Sequence, residues 1–240
     1  MDLTSQHTSR VVEGKMIIPV GNTDVFFICK TTDFHSYENA FKELQKFKNY
    51  YRFPTGDETA SLYYESFFSD LQNDPTFQYN QNKKVLINGA WIYNINCWLD
   101  KGVYIIQDSY ASGIKRNINV EELEDRIKDG EEINGVRFSR DRRVRFAAKE
   151  SYQFGKQNPE QFSKNGFVIA SFGAEGAEKL GKVSTQFKNG PFLSESPGIN
   201  KKELELRVSH ISCPGDALWL SGYEHGVGSF SRSFLVCMYK

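Results

Sequence analysis

The alternation of apolar and polar residues is clearest near the end of the chain. In residues 202–208, KELELRV, Leu204, Leu206 and Val208 alternate with charged residues, and this period of two predicts a half-buried β-strand. The closing run 234–239, FLVCMY, has no polar face. It predicts either a central strand covered on both sides or a strand with one face against another subunit.

Several other runs have the composition of strands. They lie at 16–20 and 25–30, at 167–172 (FVIASF) and at 217–220. Turn residues at 88–89 and 100–102 divide residues 84–107 into a predicted three-stranded meander. The runs GVRFS and RVRFAA, on either side of 140–142, predict a further hairpin.

Helical periodicity occurs in four segments. Residues 36–51 carry the apolar stripe Ala40, Leu44, Phe47 and Tyr51, and residues 57–71 follow with Asp57 as the expected cap. Shorter helices are expected at 119–128 and at 174–187. We therefore predict an α+β fold, with mainly antiparallel sheets packed against three to four amphipathic helices. Residues 1–14 are predicted to form a polar arm and 15–240 a single domain, with any lobe boundary near 130.

Composition narrows the classes of function. The 240 residues include 30 basic and 30 acidic side chains, which excludes a surface built throughout to bind nucleic acid or anionic lipid and permits self-association. We find no apolar run long enough to span a membrane and no signal peptide, so a cytoplasmic protein is expected. Four scattered cysteines do not suggest a disulfide framework.

A basic segment is the main candidate for binding. Against the single acid Asp141, it contains Arg137, Arg140, Arg142, Arg143, Arg145 and Lys149. Such a segment could contact phosphates or a partner. Residues 121–132, however, hold seven acids against two bases. We expect the two blocks to neutralise each other, within a chain or between subunits.

Residues 176–183, GAEKLGKV, match the G-x-x-x-x-G-K pattern of a phosphate-binding loop. Val183 stands where Ser or Thr would hold magnesium, so an amphipathic helix is favoured. Two alternative functions remain open at this point. One is a nucleotide-using enzyme with Arg143, Arg145 and Lys182 as phosphate contacts. The other is a nucleic-acid-binding module that uses the hairpin 137–149.

Metal and nucleophile chemistry have weaker support. His210, Cys213, His225 and Cys237 are metal-ligand types, but only His210 and Cys213 are closely spaced. Cys213 also lies near His210 and Asp216, where Pro214 and Gly215 more simply mark a turn. We assign no catalytic residue, metal or cofactor, and the sequence leans against an enzyme.

The leading hypothesis is a non-catalytic structural or interaction protein. It would self-associate or belong to a larger assembly such as a virion, because neutral charge, aromatic residues and the closing apolar strand all favour protein contacts. The expected partner is protein, either a second copy or another component. Nucleic acid is not favoured and no membrane is expected. Phe234, Val236 and Met238 are the predicted assembly interface.

Overall fold

The computed structural model describes residues 8–29, 36–75, 77, 89–107, 118–194, 204–224 and 233–238. Five α-helices lie in these segments: α1 (Tyr37–Gln45), α2 (Gly56–Phe68), α3 (Val120–Lys128), α4 (Pro159–Ser163) and α5 (Gly166–Ser184). Short 3-10 helices occur at Asp70–Asn73, Lys149–Ser151 and Pro214–Asp216. Together with two sheets, these helices confirm the predicted α+β class.

A five-stranded antiparallel sheet has the order β1-β2-β3-β14-β4. Its strands are β1 (Arg10–Val12), β2 (Lys15–Val20), β3 (Thr23–Ile28), β4 (Tyr51–Arg52) and β14 (Val236–Cys237). The closing strand therefore lies inside this sheet, between β3 and β4. Val236 is buried but Met238 is 43% exposed, so the run FLVCMY is central in the sheet without being covered on both sides over its whole length.

A nine-stranded sheet has the order β10-β11-β13-β12-β5-β6-β9-β8-β7. Among its described pairings, β11 and β13 are parallel and the others antiparallel. Its strands are β5 (Ala90–Leu99), β6 (Gly102–Gln107), β7 (Glu131–Ile133), β8 (Val136–Phe138), β9 (Val144–Ala148), β10 (Gly155–Lys156), β11 (Phe192–Leu193), β12 (Glu205–Ser212) and β13 (Trp219–Glu224). The sequence-predicted hairpin corresponds to β8 and β9, whereas the first meander strand, at 84–87, lies outside the described residues.

Helices cover both faces of the central strand β5. Ile92 and Trp98 face the main core, which also contains residues of α2 and α5. Trp91 and Tyr93 face the opposite side, where α1 covers them, and Cys97 packs on that side in the cluster that contains residues of α3. Because successive side chains of a strand point to opposite faces, a strand buried on both faces is apolar at nearly every position.

Residues 167–172 form the first half of α5, so the strand predicted for FVIASF is wrong. The helix begins where the Asn165 side chain accepts a hydrogen bond from the Phe167 N–H at 3.1 Å. It is interrupted at Gly173, whose φ is 73°, and ends at Ser184. The run is buried on every side, and an apolar run without periodicity does not distinguish a strand from a buried helix.

The first two helices differ from their predicted bounds. Helix α1 ends at Gln45, where the chain turns, and Tyr51 of β4 then pairs with Cys237 of β14. Phe47 therefore lies beyond the helix and is 50% exposed instead of buried. Helix α2 is capped by Thr55, through a capping box with Glu58, and not by Asp57.

Part of the predicted polar arm, residues 10–12, lies in the five-stranded sheet. Arg10–Val12 form β1 and pair with β2 through a turn in which Glu13 and Gly14 have positive φ. The Ser9 hydroxyl also donates to Glu65 of α2 at 2.6 Å. Residues 1–7 lie outside the described part of the chain. Position 130 falls between α3 and β7, within the stretch that builds one continuous sheet.

Candidate binding surfaces

The basic and acidic segments are joined by ion pairs within the chain, as one of the two sequence-based alternatives predicted. Four arginine–carboxylate pairs link residues 126–132 to residues 137–142. They are Arg126–Asp141 and Arg142–Glu131 at 2.6 Å, and Arg137–Glu132 and Arg140–Asp129 at 3.6 Å. The hairpin therefore presents far less positive charge than its arginine content suggests.

Asp141 fixes the turn between β8 and β9. Its carboxylate accepts hydrogen bonds from the Ser139 hydroxyl at 2.6 Å and from the Arg143 N–H at 3.0 Å. Burial raises the pKa of Asp141, but these hydrogen bonds and the charge of Arg126 outweigh it and the net pKa lies below its usual value. The acid within the basic segment thus has a structural role.

Arg145 lies in the interior, although the sequence placed it among the phosphate or partner contacts. Its side chain is 4% exposed and its Nη2 atom lies 2.5 Å from the Asp57 carboxylate of α2. Nη1 donates to the Ala170 carbonyl at 3.2 Å, and the guanidinium lies over the Phe138 ring. At this position strand β9 faces α2 and α5, so the contacts of Arg145 connect these two helices to the nine-stranded sheet.

The other cations of the predicted sites are dispersed. Arg143 and Lys149 are exposed at opposite ends of β9. Lys182 is exposed near the end of α5, and its ammonium lies 5.8 Å from the centre of the Tyr64 ring. The G-x-x-x-x-G-K match is helical, as favoured from the sequence. Arg145 is one of the three cations assigned to nucleotide phosphates, and it is already paired with Asp57.

The predicted assembly residues at the end of the chain divide between core and surface. Phe234 and Val236 are each 2% exposed and belong to the main core. Met238 is 43% exposed. Phe234 and Val236 are therefore buried within the chain, because β14 is an internal strand. Of the three residues, Met238 alone is exposed to solvent.

Met238 belongs to an exposed apolar surface, which we call the aromatic patch: Phe47, Tyr50 and Met238. Phe47 is 50% exposed and Tyr50 62%. The Phe47 and Tyr50 rings each lie within 6.5 Å of the Tyr51 ring, measured between centres, and the Met238 N–H donates to the Tyr50 carbonyl at 2.9 Å, so Tyr51 and the main chain connect the three residues. The helical stripe of residues 36–51 predicted a buried Phe47, and that prediction is wrong. The aromatic and lysine-rich run after Leu44, KFKNYY, is the signal that could have indicated a surface.

A second surface is an open cleft of about 970 Å³ between α3 and the end of the nine-stranded sheet. Cross-strand register builds its floor, since Tyr104 of β6 is opposite Phe146 of β9, and Phe146 is opposite Arg137 of β8. The two rings lie 4.6 Å apart between centres. Ile127 of α3 and Ala148 complete the apolar part of the lining. We call this region the charged cleft.

Charges of both signs line the charged cleft. Its carboxylates are Asp100, Glu124, Asp125, Glu132 and Glu150. Its cations are Lys101, Lys128, Arg137 and Lys149, which leaves one net negative charge. Lys101 pairs with Glu124, and that hydrogen bond raises the pKa of Lys101. Two residues of the sequence-predicted basic site, Arg137 and Lys149, thus lie in this cleft, but among acids.

Two of the residues that suggested metal or thiol chemistry, His210 and Cys213, lie in packed surroundings. His210 packs against the Trp91 ring, with centres 5.4 Å apart. Among the described residues, no three His, Cys, Asp or Glu side chains are grouped so as to hold a metal; His225 lies outside them. Burial raises the pKa of the Cys213 thiol to about 12, which opposes formation of a nucleophilic thiolate at neutral pH.

This burial predicts slow reaction of the cysteines with thiol reagents in the native state. The pKa of Cys97 and of Cys213 is raised to about 12, and that of Cys29 to about 11, so very little thiolate exists at pH 8. In a time course with a chromogenic disulfide at that pH, only the half-buried Cys237 should react within minutes. Urea should release the remaining three thiols. Rapid labelling of Cys213 in the native chain would contradict the prediction.

Comparisons with known proteins bear on the fold alone. The chain is similar to a solved structure from Nanoarchaeota, a protein whose C-type lectin fold accommodates massive sequence variation. The TM-score is 0.53 at 15% identity, and the match covers 91% of this chain and 100% of the other. This chain therefore has a C-type lectin-like α+β fold. The sequence matches no protein-family profile and no curated protein.

The helices were also compared with the dimensions of a lipid bilayer. In the described segments, no helix is both long and apolar enough to cross a membrane.

Proposed function

We propose that this chain is a non-catalytic interaction protein that self-associates, with the aromatic patch as the contact surface. The observation that carries the proposal is the exposure of Phe47, Tyr50 and Met238, which Tyr51 and a main-chain hydrogen bond connect at one edge of the five-stranded sheet. Aromatic residues and methionine are enriched at protein interfaces, and a contiguous exposed apolar surface is a typical interaction site.

Two further observations support this proposal over nucleotide or nucleic-acid binding. The C-type lectin-like fold is often used in protein interactions. In addition, ion pairs occupy most of the arginines that the other two functions would use. The carboxylates beside these arginines cancel much of the positive charge that would attract a phosphate, and Arg145 is buried as well.

Light scattering after size exclusion tests the proposal. The wild-type chain is expected to elute with a mass above the 27.5 kDa of one chain, and Phe47→Ser combined with Tyr50→Ser should reduce it to a monomer. Both side chains are at least half exposed, so the melting temperature should remain within a few degrees of the wild-type value.

Phe68→Ser is the matched control. Phe68 is 41% exposed and stacks on Tyr64 at the end of α2, a different helix from the one that precedes the aromatic patch. This variant should assemble like the wild type. A wild-type chain that is monomeric at every concentration tested, or a double variant that assembles normally, would refute the proposed function.

A further inference from the structure

The aromatic patch and the charged cleft have complementary properties. Around the patch, residues 42–50 carry three lysines and one glutamate, and Lys48 follows Phe47 directly. The cleft has one net negative charge and an aromatic floor. We propose that the aromatic patch of one copy docks into the charged cleft of a second copy, an inference that rests on the self-association proposed above.

Charge argues against docking of the patch onto itself. In a two-fold contact the same residues face each other, so Lys42, Lys46 and Lys48 would oppose their own copies. Glu43 is paired with Lys46 at 2.9 Å and offsets one of the three charges. Like charges brought together across an interface disfavour the contact. The patch is therefore better matched by a surface that carries more carboxylates than cations.

The charged cleft meets that requirement and also offers apolar contact. Phe47 and Tyr50 are three residues apart in the turns that follow α1, where the Tyr50 N–H donates to the Phe47 carbonyl at 2.9 Å. The two rings thus project from one compact turn. On the cleft floor they would meet the half-buried Phe146 ring, which packs against the buried Tyr104 ring. Aromatic pairs add to the gain from burial alone. Asp125 and Glu150 at the rim would face the lysines.

Docking between two different surfaces leaves one patch and one cleft unused in every dimer. Such a contact adds further copies head to tail, and it ends only when the rotation between copies closes a ring. Assemblies larger than a dimer are therefore expected as concentration rises. High salt should weaken them, because part of the contact is between exposed charges.

Complementation between two variants tests the proposal. The patch variant is Phe47→Ser with Tyr50→Ser, and the cleft variant is Asp125→Lys with Glu150→Lys. Each is expected to weaken self-association by at least about tenfold. Mixed one to one, they should form a dimer and nothing larger, because the intact patch of one still fits the intact cleft of the other.

The control for the cleft variant is Glu121→Lys with Glu122→Lys. These exposed residues lie on the same helix, α3, but outside the cleft lining, so the same change in net charge should leave assembly intact. If the cleft variant assembles like the wild type while the patch variant does not, the cleft is not the partner and the proposed self-association still stands. If the patch variant also assembles normally, both proposals fail.

A photo-crosslink gives a readout that does not depend on the cleft variant folding. Benzoylphenylalanine introduced at position 47 of the otherwise wild-type chain should crosslink to a peptide that contains Phe146 or Lys149 of another copy. Mass spectrometry identifies the peptide. Intermolecular crosslinks that fall solely on other surfaces, or that join position 47 to position 47 of the second copy, would overturn the proposal.

Discussion

Replacing Asp57 by alanine is expected to lower the free energy of unfolding by about 3 kcal/mol, because it leaves the Arg145 guanidinium charged and unpaired in the interior. Arg145 is 4% exposed at its side chain, whereas Asp57 is 35% exposed. The cost therefore arises mainly at the arginine. Its remaining partners are the Ala170 and Arg142 carbonyls, at 3.2 and 3.3 Å, and the Phe138 ring, none of which carries a charge. Urea unfolding followed by tryptophan fluorescence measures the loss.

An exposed ion pair provides the control for this prediction. Arg142 and Glu131 lie 2.6 Å apart, with side chains 57% and 60% exposed, so Glu131→Ala should cost less than about 1 kcal/mol. Arg145→Met combined with Asp57→Ala removes the unpaired charge as well. It should unfold at higher urea than Asp57→Ala alone. If Asp57→Ala is as stable as Glu131→Ala, the guanidinium does not depend on Asp57.

The features that the sequence predicted well are local in the chain. Helix α3 lies within the predicted segment 119–128 and is capped by Asn119, whose side chain accepts from the Glu121 N–H at 2.9 Å. The hairpin of β8 and β9 and the pairing of acidic with basic segments likewise join residues close in sequence. In each case the residues that decide the structure lie within about twenty positions of one another and can be compared directly.

The features that the sequence did not predict depend on distant partners. Arg145 is buried because Asp57, 88 positions away, supplies its counter-charge. Phe47 is exposed because Tyr51 pairs with Cys237 as part of a strand, and Cys237 lies near the other end of the chain. The alternation of RVRFAA is enough to predict that Phe146 and Arg145 lie on opposite faces of a strand. It gave no sign that Tyr104 would lie beside Phe146 and make a cleft floor, because that contact depends on the register between β6 and β9.

Replacing Gly222 by alanine is expected to destabilise the chain by about 3 kcal/mol, at the upper end of what overpacking costs. A Cβ atom at this position would lie 2.2 Å from Cζ of Phe167. The Phe167 ring is fully buried and stacks on Trp98, with centres 5.2 Å apart, so it has little room to move. Gly222 is also held in place, because its carbonyl accepts from Asn96 at 2.8 Å and from Trp98 at 3.1 Å.

The variant Phe167→Leu tests whether Gly222→Ala destabilises the chain through the clash with the Phe167 ring or through an intrinsic effect of alanine in β13. It removes the ring atoms that the new methyl group would meet, and alone it should cost about 1 kcal/mol. Combined with Gly222→Ala, it should lose clearly less stability than the sum of the two single changes, because the contact that links them is gone. Urea unfolding of the four chains gives this coupling directly. Strict additivity would mean that Phe167 is not what excludes a side chain at position 222.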